Sequence, residues 1–322
     1  MADGGPGGRQ RIADRIQYEE SQTVPPSFTS HWTKADVKGL LHAMQGRVCA
    51  YCGVIGNGLD VEHFRPKGAI EYEGDHSGYW WLAYECSNLF LSCGVCNRIR
   101  KKNRFPLRAG ATRCTYSTRD ALLTEGRILL DPVVDPVEEW LTIGPDDVTG
   151  RLIPNPILDH GERSRVQESI ELFGLNLDPE VRSQRSRAYQ AAAQAAKEER
   201  WDDLRLSAMR HRAHSLTARV ILRRVAPEQI PTAKEEFEDL VNTLWKELRT
   251  LVDEIRRLRA VGKPIAPTDK KQLQVLAWAL AVLRSSPPAG DPTIGDGYLI
   301  ELLEREGPEI RAEIVALFRD LE

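Results

Sequence analysis

Two cysteine pairs, Cys49-Ala-Tyr-Cys52 and Cys93-Gly-Val-Cys96, constrain this chain more than any other feature. A two-residue spacer lets both sulfurs of a pair reach one tetrahedral ion, and four thiolates are the ligand set of a closed structural zinc site. A redox role needs only one such pair, so two of them favour metal. Gly53 and Asn97 follow the pairs directly and suit a tight knuckle and a helix start. The intervening loop of 40 residues is longer than that of a simple zinc finger. Zinc here is expected to staple a loop-rich region whose apolar core is thin. Cys86 and Cys114 lie outside the frame and read as buried or incidental thiols.

The chain has 322 residues, which is room for two or three units. Hydrophobic residues make up 41% and charged residues 28%, the balance of an ordinary soluble protein. No apolar run is long enough to span a bilayer. The Gly-rich, polar start lacks the apolar segment of a secretory signal, so it reads as a flexible leader of a cytoplasmic protein. A net charge of −3 excludes a uniform polycation but leaves local basic patches open.

Composition divides the chain into a leader (1–30), a cysteine- and aromatic-rich region (31–125), an extension packed upon it (126–180) and a helical accessory or partner-binding region (181–322). Helices are expected from Thr33 to Met44, near the second cysteine pair, and from Gly161 to Leu172. Others are expected over Arg182 to about Arg224, Lys270 to Arg284 and Glu309 to Leu321. Strand-like runs lie at Gly58 to Pro66 and Arg127 to Asp135. In the helix after Pro231, apolar Phe237, Val241, Leu244, Leu248, Leu251, Ile255 and Leu258 alternate at spacings of four and three. That seam fits a hairpin within the chain better than a coiled coil with a partner, since neighbouring helices are at hand. There is no internal repeat and no phosphate-binding loop of the ATPase type.

Inside the frame, Glu62-His63-Phe64-Arg65-Pro66-Lys67 begins ten residues after Cys52. A neutral imidazole can take a proton from water near neutral pH. A carboxylate can hold a hard divalent cation such as Mg²⁺ or Mn²⁺. Neighbouring strand residues face opposite ways, so both serve one site only if the strand twists or ends there, as Pro66 implies. Asp60 shares the face of Glu62 and is the substitute ligand. Alone, a Glu-His pair is more often a surface ion pair; Asn88, Asn97 and Lys101 around the second cysteine pair change that weighting. From Arg98 to Arg119 there are eight Lys or Arg residues and no acid. Arg98, Arg100, Lys101, Lys102 and Arg104 on the helix after Cys96 are the candidate phosphate contacts. Nothing in the stretch reads bases. Tyr79, Trp80, Trp81 and Tyr84 are expected to be core rather than a stacking platform for bases.

These residues resemble the HNH nuclease family. The likeness extends through Trp81-Leu82-Ala83-Tyr84, Asn88-Leu89, Phe105-Pro106-Leu107, Leu130-Asp131-Pro132 and Leu175-Asn176-Leu177 to the HNH subunit of Septu-type and retron-linked anti-phage systems. It covers roughly residues 35 to 185. The resemblance implies an α+β fold: a small zinc-stapled ββα-metal nuclease domain followed by a mostly α-helical region. It also implies His63 as general base, Asn88 orienting the His63 ring, and Glu62 and Asn97 as ligands of a catalytic Mg²⁺ or Mn²⁺. Zn²⁺ in Cys49, Cys52, Cys93 and Cys96 would be structural. The implied partners are nucleic acid, DNA before RNA, and a separate ATPase; the C-terminal helices, outside the resemblance, are a candidate surface for an oligomer or hetero-complex. Two other classes compete: a non-catalytic zinc-ribbon adaptor, and an interaction subunit whose heptad helix matters most.

Overall fold

The structure, a computed structural model, describes residues 35–56, 58–72, 76–144, 149–267, 269 and 272. Their elements run in the order α1 (Ala35–Gln45), β1 (Asp60–His63), β2 (Leu89–Ser92), a wide π-helical segment (Val95–Lys101), α2 (Val137–Trp140), β3 (Leu141–Ile143), β4 (Leu152–Pro154), α3 (His160–Phe173), α4 (Pro179–Lys197), α5 (Trp201–Ser207), α6 (Ser215–Val225) and α7 (Ala233–Ala260), with short 3₁₀ turns between them. Helices and two small antiparallel sheets thus share the chain.

Described residues 47–230 form one compact unit, and residues 35–46 with those from 231 onward form another. This division differs from the one read from composition, which separated the cysteine-rich region from everything after residue 180. The physical reason is a direct tie. The His214 amide donates to the Gly53 carbonyl at 2.9 Å, so α6 opens on the knuckle of the first cysteine pair.

In the first unit β1 and β2 pair in the register Asp60↔Ser92, Val61↔Leu91, Glu62↔Phe90 and His63↔Leu89. The aromatic residues fill the space beneath them. Tyr79, Trp80, Trp81 and Tyr84 are all buried. Phe64 meets Phe105 edge-on at 5.4 Å and Phe90 at 6.2 Å. Such pairs add about 0.5–1.5 kcal/mol each beyond the area they bury. Glu125 organises the polar rim of this core, accepting from Tyr79 Oη at 2.5 Å and from the Cys114 amide at 2.8 Å, and pairing with Arg65 at 3.3 Å.

Two segments depart from the sequence expectations. The Arg127–Asp135 run makes one isolated bridge, Leu107↔Arg127, and then a turn instead of a strand. The Asp131 carboxylate accepts from the Val133 and Val134 amides, and Asp135 accepts from the Asp131 amide, so side chains take the place of a ladder. The stretch from Arg182 to Arg224 is three helices, not one. The left-handed conformations of Glu199 (φ 54) and His214 (φ 52) interrupt it. The α3 helix closes as its sequence implies, with Asp159 capping its start and Gly174 (φ 61) ending it. A Cβ at Gly174 would come within 2.9 Å of Arg100 Nε, so the glycine also makes room.

In the second unit α7 buries Phe237, Leu240, Val241, Leu244, Trp245, Leu248, Val252 and Ile255. The stripe adds Leu240, Trp245 and Val252 to the heptad seam, while Leu251 and Leu258 are only half-buried. That breadth belongs to a helix packed in a globular core rather than to a narrow two-stranded seam, and it is covered within a single chain. The expected leader and the helix over Glu309–Leu321 fall outside the described residues, as does nearly all of the one over Lys270–Arg284.

Candidate functional site

The two cysteine pairs are brought together by backbone bonds on either side of the β1–β2 hairpin. The Cys49 amide donates to the Val54 carbonyl at 2.9 Å, and the Gly53 amide to the Cys49 carbonyl at 3.1 Å. This knuckle needs the positive φ of Gly53 (76°), where a side chain would be strained. The Ala50 amide donates to the Leu91 carbonyl at 2.9 Å, tying the knuckle to β2. The second pair opens the π-helical segment, where the Asn97 amide bonds to the Cys93 carbonyl at 3.0 Å.

All four sulfurs lie within 4.8 Å of one another, and the Cys52 and Cys93 sulfurs are 3.8 Å apart. Tetrahedral zinc with sulfurs at about 2.3 Å requires sulfur–sulfur separations of about 3.8 Å, so the donors fit that ion. None of the cysteines is in a disulfide. The clustered thiols share protons, which lowers the proton affinity of Cys49 and Cys93 and raises that of Cys52 and Cys96.

Sequence reading did not single out Arg185 on α4. Its buried guanidinium donates to the carbonyls of Gly150 (2.9 Å) and Leu175 (3.2 Å) and lies in the field of Cys52 and Cys96. Burial lowers its proton affinity to about 10, so it stays charged at neutral pH and offsets part of the thiolate charge. Arg185→Met should speed zinc loss to a chelator by about 10-fold, within the range seen for groups that support metal ligands. An unchanged rate in a chelator-competition assay would rule out that support.

Glu62 and His63 are adjacent on β1, and both are buried. The His63 Nε2 lies 2.9 Å from the Ala83 carbonyl, which can only accept, so Nε2 carries the proton and Nδ1 the basic lone pair. Burial, reinforced by the nearby Lys67 charge, lowers the proton affinity of His63 to about 3; the ring is neutral at physiological pH. Burial instead pushes the Glu62 carboxyl above its ordinary value, against the pull of Lys101.

Asn88 is buried beside the turn that follows His63. Its Oδ1 accepts from the Arg65 amide at 2.7 Å, and its Nδ2 donates to the carbonyls of Arg65 (3.0 Å) and Leu82 (3.2 Å). It clamps that turn, and the Ala83 carbonyl meets the ring itself. Asn88→Ala should cost about 1–3 kcal/mol of stability by orphaning buried backbone groups, read as a lower Tm with the zinc retained. No change in Tm would show that the clamp is idle.

The basic stretch divides. Lys101 is fully buried, with Nζ 2.6 Å from Glu62 Oε1 and donating to the His63 carbonyl at 2.9 Å, so it cannot contact phosphate. Arg98 is exposed and pairs with Asp60 at 3.0 Å, which engages the substitute ligand. Arg104 reaches the Leu172 carbonyl at 3.4 Å and Arg100 lies against Gly174, both at the C-terminal end of α3, where cations are favoured. Lys102 is exposed. Asn97 sits half-buried in the first turn of the segment that also carries Cys96 and Lys101. Among the described residues, the four cysteines are the only group of three or more His, Cys, Asp or Glu placed to hold a metal ion.

Among the described residues no helix is long and apolar enough to cross a membrane. No family model matches the chain. The chain is 40% identical over 144 residues to the Septu protein PtuB of Bacillus mycoides (strain KBAB4), a match covering 40% of this chain and 48% of that protein. It thus spans about half the length of the curated relative it matches. Over that stretch the chain is close to PtuB-like Septu proteins.

Proposed function

We propose that this chain is a metal-dependent endonuclease of the HNH class, the nuclease component of an anti-phage defence system that acts with a separate ATPase protein. One observation carries the reading. Lys101 reaches the buried Glu62 carboxylate and the His63 carbonyl at the end of the hairpin, and its segment also carries Asn97 and Cys96 of the four-cysteine cluster, which supports the reading. The likeness to the Septu protein supplies the defence context.

His63 Nδ1 takes the proton from the attacking water, while the Ala83 carbonyl fixes the ring through Nε2. Glu62 and Asn97 would hold the Mg²⁺ or Mn²⁺. The donors fit: both are hard oxygen ligands, and the Glu62 carboxylate is buried. Such an ion, when bound, polarises the phosphoryl group and stabilises the departing oxygen. Zinc held by the four cysteines would have all its positions filled by protein and would serve the fold rather than the reaction. Exposed Arg98 and Lys102 flank the site and can meet phosphates of the strand.

The reading predicts cleavage of DNA, with RNA cut more slowly, when the zinc-loaded chain is given Mg²⁺ or Mn²⁺ together with any ATPase encoded beside its gene. Intact substrates under all these conditions would favour the zinc-ribbon adaptor instead.

A further inference from the structure

We infer that the Lys101 ammonium and a divalent cation compete for the Glu62 carboxylate, so that Lys101 closes the catalytic ion's position until an ion displaces it. This rests on the metal site proposed above and assigns it a built-in occupant.

The geometry is specific. Lys101 ends the Val95–Lys101 segment, its side chain is 0% exposed, and Nζ stands 2.6 Å from Glu62 Oε1. A divalent ion held by Glu62 would draw on the same carboxylate charge that the ammonium neutralises. Two cations cannot share one carboxylate oxygen at such separations without strong repulsion. The contact is a buried, charge-assisted pair, so an incoming ion must outweigh the bond between Lys101 and Glu62.

The displaced ammonium also has somewhere to go. It already donates to the His63 carbonyl at 2.9 Å and approaches the Lys102 carbonyl at 3.5 Å, and these remain as acceptors when the carboxylate turns to the ion. Asp60 is engaged by Arg98 at 3.0 Å in an exposed ion pair. Lys67 adds to the positive field around Glu62 and so favours the closed state.

The test is Mn²⁺ titration of the zinc-loaded protein, which reads binding without any cleavage. Lys101→Met should bind Mn²⁺ at least about 10-fold more tightly than wild type, and Lys101→Arg no more tightly. A folded, zinc-containing Lys101→Met protein with unchanged or weaker Mn²⁺ affinity would overturn the competition. If that variant does not fold, acylation of Lys101 in wild type decides: labelling should be slow without Mn²⁺ and at least several-fold faster with it. Equal labelling in both states overturns the inference. Wild type that binds no Mn²⁺ defeats the metal-site reading itself. Binding that Glu62→Gln removes but Lys101→Met leaves unchanged defeats only the competition.

Discussion

Cleavage by the His63→Ala protein is expected to fall by roughly 10³-fold, the middle of the range for loss of a positioned general base. The expectation follows from three features of one side chain. Burial keeps the ring neutral, with its proton affinity lowered to about 3, so the reactive form is the resident form. The Ala83 carbonyl at 2.9 Å assigns the proton to Nε2 and leaves Nδ1 as the base. The position at the end of β1, opposite Leu89, fixes the ring between the hairpin and the Trp80–Leu82 turn. The fold should survive, because the substitution removes one hydrogen bond and a small volume, a cost of about 1–3 kcal/mol. Zinc content and far-UV spectrum should therefore match wild type while the rate collapses. A variant that cuts at the wild-type rate would remove His63 from the chemistry.

The second large effect concerns the frame. Cys52→Ser or Cys96→Ser should lower zinc from about one ion per chain to well under half. Structural zinc contributes on the order of 10 kcal/mol to small metal-stapled folds, and a loss of only about 5 kcal/mol lowers Tm by about 10–20 °C for a unit of this size. The consequence should spread beyond the knuckle. Arg185 would be left buried beside an incomplete thiolate cluster, and the Gly53–His214 bond that anchors the start of α6 would lose its rigid base. Cys86→Ser, outside the cluster, is the control and should leave both zinc and Tm unchanged. Equal effects from Cys52→Ser and Cys86→Ser would mean that the four sulfurs do not hold the metal.

Much of this was legible in the residues because the chemistry leaves marks of spacing. Two Cys-x-x-Cys pairs imply one tetrahedral cluster wherever the 40 residues between them travel, and the sulfurs do converge. Aromatic Tyr79 to Tyr84 could be assigned to the core because large apolar side chains beside a thin frame have little else to fill. Other features carried no such mark. The Ala83 carbonyl that orients His63 is a backbone group, and any residue at position 83 would supply one. Asn88 has the right chemistry to orient a ring, and its bonds to the Arg65 backbone are set by how the turn closes. Lys101 stood out one helical turn past Asn97 and also as a candidate phosphate contact, but nothing in the sequence paired it with Glu62. Its register on the helical segment turns it inward to Glu62, whereas Arg98 and Lys102 point outward.

The heptad of α7 shows the same limit from the other side. Its period was plain, but a period of three and four cannot say how wide the buried stripe is. Leu240, Trp245 and Val252 widen it, and all three are buried. The unit boundary was hidden for a similar reason. Composition changes where cysteines stop, whereas compactness follows contacts such as His214 to Gly53, which join residues far apart in sequence.

The most direct measurement of the central claim is DNA cleavage by the purified, zinc-loaded chain, alone and with the ATPase that the proposed function calls for, before and after Mn²⁺ is added to divalent-free buffer. A chelator is avoided so that zinc remains bound and only the second ion varies. The account predicts no cleavage without Mn²⁺, cleavage with it, and no cleavage in either case by His63→Ala. Cleavage that is indifferent to Mn²⁺, or that His63→Ala performs as well as wild type, would contradict it.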